Sequence, residues 1–272
     1  MNHLTLVPEG GLCNRIYAIT STVAFVKKYN IRLTVIWFID KGMGAGFYDL
    51  FTCPQELENV EIRDAGVSDF YKYAKPIKRN LFLPKLYQKF KFDAVYFWYK
   101  EHCSVEDWYL SHPDAHQFYL FHCQKYADIT NLIKTFSLVP AIQKIIDERL
   151  KLLSPHTVGI HIRRTDLKAA ITHSPLSAFV EKMQQEINCI PETDFYVASD
   201  SLEEKKKIKE IFGDKIIIVE NNLKRNTKEG VVDALIELYT LASTKKIYGS
   251  LHSTYSTLTS EINNIPIEII QI

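Results

Sequence analysis

From Thr157 onward the chain alternates between two periods. Short apolar runs rich in β-branched residues read as strands at 157–163, 194–199, 215–219 and 245–248. Longer segments of helical spacing fall between and after them, at 176–188, 201–212, 228–242 and 254–262. A strand that returns through a helix lies parallel to its predecessor, so this alternation selects an α/β unit with a parallel sheet. The N-terminal half opens the same way. Residues 3–7 and 31–39 read as buried strands with a helix over Arg15 to Tyr29 between them, and further strands are expected near 59–63, 92–98 and 117–122. Ile142, Ile145, Ile146, Leu150 and Leu153 give helical spacing after Pro140, a residue suited to a first helical turn. Ser154–His156 reads as a hinge. The expected organisation is therefore two α/β domains, 1–150 and 154–272, with ligands beyond the carboxyl ends of the strands and in the crevice between the domains.

Composition narrows the function classes. A net charge of +1 gives no electrostatic case for a nucleic-acid partner. Cys13, Cys53, Cys103, Cys123 and Cys189 are scattered and include no C-x-x-C pair, which speaks against a disulfide framework or a zinc site and for a reducing compartment. MNHLTLVPEG lacks the pattern of a signal peptide, and no run reaches the ~18 apolar residues of a membrane span. The expectation is a cytoplasmic protein, with peripheral contact to an inner membrane left open.

Four stretches sit where a strand gives way to a loop or helix. In PEGGLCNR, residues 8–15, Gly10 and Gly11 permit a tight turn, and Asn14 and Arg15 open a helix whose N-terminus suits an anion. An ordinary β-to-α turn explains the glycines equally well, and the pattern is not G-x-G-x-x-G. In HIRRTD, residues 161–166, an arginine at a strand end suits a phosphate, while a surface ion-pair cluster is the plainer alternative. Neighbours on a strand point to opposite faces, so Arg163 and Arg164 are expected to have different tasks. In FYVASDS the strand ends at Ser199 and Asp200, and Ser201 caps the next helix. GSLHSTYST, residues 249–257, places hydroxyls at a helix start, either as a phosphate cradle or as caps alone.

Taken together, GGLCNR, HIRRTD with the downstream HSP of 173–175, the strand ending ASD, and the D-x-L and S-x-x-S-T-Y-S patterns resemble the GDP-fucose-dependent fucosyltransferases. That superfamily includes α-1,6-, α-1,2- and protein O-fucosyltransferases, and the likeness is greatest to the α-1,6 and nodulation-type branch and to a bacterial offshoot. It is strongest from Thr157 to Ile262, extends to the glycine loop, and covers little of residues 50–150. The resemblance implies a GT-B-like fold, two Rossmann-like domains facing a central cleft, with donor on the second and acceptor on the first. It implies inverting transfer of fucose from GDP-fucose, as co-substrate, to a glycan or other hydroxyl acceptor, with no metal or other cofactor; a lipid-linked glycan is a further acceptor the basic stretch 75–91 would suit. The absence of any D-x-D agrees with metal independence.

Residue by residue, the resemblance gives Arg163 the phosphate-binding role and His161 the nucleotide pocket. Asp200 and Asp233 fall near the guanosine, and Ser253, Thr254 and Ser256 at the diphosphate. Gly10, Gly11, Asn14, Arg164 and Asp166 complete the expected donor site. Glu9 is the candidate base for the acceptor hydroxyl, with Asp166 or a residue of 40–50 in reserve. Cys13 and Arg15 depart from relatives that carry glycine and glutamine there. Transfer of another GDP-sugar, or binding without turnover, are the alternatives.

The first half holds most of the aromatic residues. YFWY at 96–99 and Trp108 are expected either in the core or as stacking surfaces for a glycan. KPIKRNLFLPKLYQKFK, residues 75–91, carries six basic residues and no acidic one. It reads as a solvated helix face or as a contact with an anionic lipid surface.

Overall fold

The computed structural model describes residues 1–52, 57–129, 136–165, 167–222 and 224–272. Cys53 and Asp166 lie outside the described residues. By internal contacts the chain divides into Met1–Val139 with Arg225–Lys228, and Pro140–Lys224 with Glu229–Ile272.

The first unit is built on β1 (His3–Pro8), α1 (Leu12–Tyr29), β2 (Arg32–Trp37), β3 (Phe51–Thr52), β4 (Val60–Asp64), α2 (Leu83–Lys91), β5 (Ala94–Phe97), α3 (Val105–Leu110), β6 (Gln117–His122) and β7 (Ser137–Leu138). Its parallel sheet runs in the order β4-β2-β1-β6-β5, with β3 and β7 forming a small antiparallel pair. Leu4, Leu6, Leu33, Val35, Phe118 and Leu120 are buried, as expected of central strands covered on both faces. α1 ends with Asn30 in the left-handed region, and the Asn30 amide donates to the Val26 carbonyl.

The second unit runs α4 (Pro140–Leu150), β8 (Val158–Ile162), α5 (Lys168–His173), α6 (Leu176–Cys189), β9 (Phe195–Ser199), α7 (Leu202–Phe212), β10 (Ile216–Ile217), α8 (Lys228–Leu241, entered from the first unit at Lys228), β11 (Ile247–Ser250), α9 (Thr254–Asn263) and β12 (Ile267–Ile270). The sheet order is β10-β9-β8-β11-β12, again parallel throughout. Val158, Ile160, Ile162, Phe179, Met183, Phe195, Val197 and Ile208 make one core cluster.

In both units the first strand of the sheet is flanked by strands whose connections lead away in opposite directions. β1 lies between β2 and β6, and β8 between β9 and β11. Loops leaving such a pair diverge and open a ligand site at the carboxyl edge, the switch point of a doubly wound sheet. Each unit has one, with Gly10, Gly11 and Asn14 beside the first and His161, Arg163 and Ser253 beside the second.

Candidate functional site

The second unit's switch point is assembled from the ends of β8 and β11. His161 is buried, 4% exposed, at the end of β8. Its ring stacks on Tyr255, with centroids 4.6 Å apart, and its Nδ1 lies 2.8 Å from Ser256 Oγ and 3.4 Å from Ser253 Oγ. Burial, reinforced by the charge of Arg163, lowers its pKa to about 3, so the imidazole is neutral at ordinary pH. Ser253 is the N-cap of α9 and accepts from the Ser256 amide, while Thr254 is the first helical residue and exposed. No acidic residue occupies the first turn of α9, so the positive end of its dipole meets no carboxylate of its own. Gly249 makes the close approach possible, since a Cβ there would sit 2.5 Å from Ser256 Cβ.

The two arginines fall just past β8, which ends at Ile162, so the rule that strand neighbours face opposite ways does not apply to them. Their partners separate them instead. Arg164 donates through Nε to Glu204, through one terminal nitrogen to the Arg163 carbonyl and through the other to the Ser174 carbonyl, at 2.9–3.1 Å. Its guanidinium is a structural tie. Arg163 pairs through Nε with Asp200 at 3.2 Å and remains partly exposed, and its amide donates to Ser250 Oγ.

Asp200 organises this turn. Beyond Arg163, it accepts from the amides of Arg164 and Thr165 and from the Thr165 hydroxyl. Asp233 sits one layer back on α8 and accepts from the Asn222 amide at 2.7 Å. Beside it a buried Lys205–Glu237 pair, 2.7 Å apart, is extended by Asn221 and Arg149. Burial pushes the Glu237 carboxyl up, partly offset by Lys205. Removing one partner of such a pair typically costs ~3–5 kcal/mol because the other charge is left buried. None of these four residues was expected at the site.

Ser174 is a further residue whose task sequence spacing does not reveal. Its hydroxyl donates to the Ile270 carbonyl and accepts from the Leu251 amide, while its own carbonyl receives Arg164. The HSP stretch thus ties the arginine turn to the turn before α9.

The first unit's switch point holds the other expected residues. Gly10 has φ +90°, a region that favours glycine, and a Cβ there would also meet the Asn14 amide nitrogen at 2.9 Å. Gly11 is the N-cap of α1, so the helix starts at Leu12, before the expected Arg15. Arg15 does not face a ligand. It is 1% exposed, donates to the Gly10 carbonyl, the Phe38 carbonyl and Asp40, and lies 4.9 Å over the Trp37 ring. It fastens the glycine loop to the end of β2.

Glu9 follows β1 directly, and its amide pairs with the His122 carbonyl at the end of β6. Its carboxylate accepts from the Trp98 indole at 2.9 Å and lies 3.5 Å from Lys75 Nζ. Lys75 in turn stands 4.3 Å over the Tyr99 ring. The YFWY stretch divides by depth: Tyr96 and Phe97 are core, as is Trp108, while Trp98 is half-buried and Tyr99 exposed beside Glu9. Asp166 lies outside the described residues. Among the described residues, no cluster of His, Cys, Asp and Glu is arranged to hold a metal ion.

Against known proteins, no family model and no curated protein matches the sequence. The structure does match. NodZ alpha-1,6-fucosyltransferase soaked with GDP-fucose aligns with a TM-score of 0.66 at 14% identity, over 98% of this chain and 94% of the other. Fucosyltransferase NodZ from Bradyrhizobium gives 0.61 at 12%, over 95% and 92%. POFUT1 in complex with GDP-fucose gives 0.60 at 13%, over 100% and 99%. The chain shares the α/β fold of these fucosyltransferases, two parallel five-stranded sheets flanked by helices.

Proposed function

We propose that the chain is a glycosyltransferase that moves fucose from GDP-fucose to a hydroxyl of a glycan or lipid-linked glycan, with inversion and without a metal. One observation carries the reading. The switch point of the second unit gathers a partly exposed arginine, a neutral histidine and the hydroxyl-rich N-terminus of α9, within the fold of fucosyltransferases solved with GDP-fucose.

In this reading the bond between the sugar's anomeric carbon and the β-phosphate oxygen lengthens, and charge builds on the diphosphate. Arg163, the first-turn amides of α9 and the hydroxyls of Thr254 and Ser253 stabilise that charge without reorganising. Neutral His161 adds no repulsion to Arg163 and holds Ser256 and Ser253 in place. Arg164, Asp200 and Ser174 keep the arginine turn in shape, and Asp233 with Asn222 braces the loop after β10, on the base side. The acceptor oxygen attacks from the opposite face of the sugar and its proton passes to Glu9 of the first unit, the acceptor side, as GDP leaves. Trp98 and Lys75 hold that carboxylate.

The test is GDP release from GDP-fucose in the presence of a panel of glycans, with and without EDTA. Acceptor-dependent release that survives EDTA is expected. Saturable GDP-fucose binding with no release on any acceptor would make the chain a binding protein. Loss with EDTA and recovery with manganese would refute the arginine-for-metal assignment. Another GDP-sugar turning over in place of GDP-fucose would reassign the donor.

A further inference from the structure

The segment leading into α2 and α2 itself carry their large apolar residues outward. Leu81 is 75% exposed, Leu86 57% and Phe90 80%, with Phe82 and Leu83 also exposed. On a helix Leu83, Leu86 and Phe90 share one stripe, at spacings of three and four. The side that α2 buries is narrow and partly polar: Pro84, and Gln88, whose amide donates to the Lys72 and Ala74 carbonyls. Leu81 and Phe82 both stand at positive φ, 52° and 54°, a conformation that costs a non-glycine residue free energy. The backbone is held there just where two apolar side chains point away from the core.

Charge surrounds this strip. Lys78, Arg79, Lys85, Lys89 and Lys91 are exposed and make no ion pair among the described residues, while the sixth base, Lys75, faces Glu9. The acids that flank the segment in sequence are committed elsewhere. Asp69 binds Arg63 at 2.6 Å, and Asp93 accepts from the amides of His116 and Gln117. Leucine and phenylalanine rimmed by lysines on flexible stems match the two layers of a bilayer interface, acyl chains inside and anionic headgroups outside. Among the described residues no helix is long and apolar enough to cross a membrane, so contact would be from one side.

We propose that residues 77–91 form a docking surface for an anionic lipid bilayer, inserting Leu81, Phe82, Leu83, Leu86 and Phe90 at the headgroup boundary while the five basic residues meet lipid phosphates. This goes beyond the transferase reading and does not depend on it. The full chain is sedimented with vesicles of phosphatidylcholine alone and with roughly one-third phosphatidylglycerol, without any nucleotide sugar. Binding to the anionic vesicles is expected, at least ~10-fold tighter than to the neutral ones and weakened by salt. Replacing Leu86→Ser and Phe90→Ser together should weaken it about 100-fold, two large side chains being withheld from the acyl layer. Melting should stay unchanged, since both residues are already exposed. Lys85→Gln with Lys89→Gln should cost about tenfold. Wild-type protein left in the supernatant, equal binding to both vesicle types, or a serine pair that binds like wild type each overturns the proposal. A concentration-dependent dimer abolished by Phe90→Ser, in a chain that ignores vesicles, would assign the face to a second copy. Because no donor is present, failure here leaves glycosyl transfer standing, and the reverse holds too.

Discussion

The two switch points share a topology and differ in charge. In the first unit the buried cation, Arg15, is spent on two carbonyls and Asp40, and the group left at the sheet edge is a carboxylate, Glu9, between an indole and an ammonium. In the second, the carboxylates are spent. Asp200 holds the turn and Glu204 holds Arg164, and the edge presents Arg163, hydroxyls and a helix N-terminus. A carboxylate suits a hydroxyl that must lose a proton, and a guanidinium beside a helix N-terminus suits a diphosphate. The fold supplies the edge twice, and the side chains gathered there decide what each edge presents.

The largest expected effect comes from Arg163→Lys. A point charge cannot reproduce the guanidinium fork, so GDP release should fall by up to ~10³, with melting close to wild type. Normal turnover in a folded Arg163→Lys would mean that the guanidinium fork does not act on the diphosphate. Glu9→Gln should lower turnover by about 10² while GDP binding stays intact, the low end for loss of a general base. If GDP binding falls instead, the two edges are not divided as described.

Arg164→Lys and Gly249→Ala sharpen the comparison through stability. The lysine loses a three-way tie to Glu204 and two carbonyls, and the alanine forces α9 away from β11. Each should cost ~1–3 kcal/mol by thermal melting, and Gly249→Ala should weaken GDP binding as well. An Arg164→Lys protein that melts normally and has lost all turnover would exchange the roles of the two arginines.

The last effect, on acid stability, is shared between the two units. Unfolded histidine titrates near 6.5, whereas in the fold His161 is lowered to about 3 by burial and His122, in the first unit, to about 4. The unfolded chain therefore takes up these protons first. Stability is full above about pH 6.5 and declines as pH falls toward the folded values, by ~1.4 kcal/mol per histidine per pH unit. Melting at pH 7 and pH 5 should differ accordingly, and His161→Gln should lose its own share while keeping the parts due to His122 and to His3, whose pKa burial also lowers. A His161→Gln protein with undiminished acid sensitivity would mean that the ring is not held neutral.

Most of the second unit was legible because its alternation is strong. The helix expected at 176–188 is Leu176–Cys189, and the strand expected at 194–199 is Phe195–Ser199. Short elements escaped: α5 spans only six residues, and β12 follows Pro266 and carries Glu268. In the first unit the basic stretch 75–91 reads as a helix face and α2 does occupy Leu83–Lys91, but a sequence pattern cannot say that Leu83, Leu86 and Phe90 stay exposed on it. Motif spacing brought Arg163, His161 and the serines of 253–256 to one edge. It could not foresee ties that close over long separations, such as Ser174 to Ile270, 96 residues apart, or Arg15 to Asp40. Arg15 looked like a departure at the ligand loop and is instead its buried fastener.

A crystal structure of the full chain with GDP is the most direct test of the division between the two edges. The diphosphate is expected at the end of β8 and β11, its oxygens against Arg163 and the first turn of α9. A diphosphate held at Gly10, Gly11 and Asn14 of the first unit, with the α9 edge empty, would contradict that division.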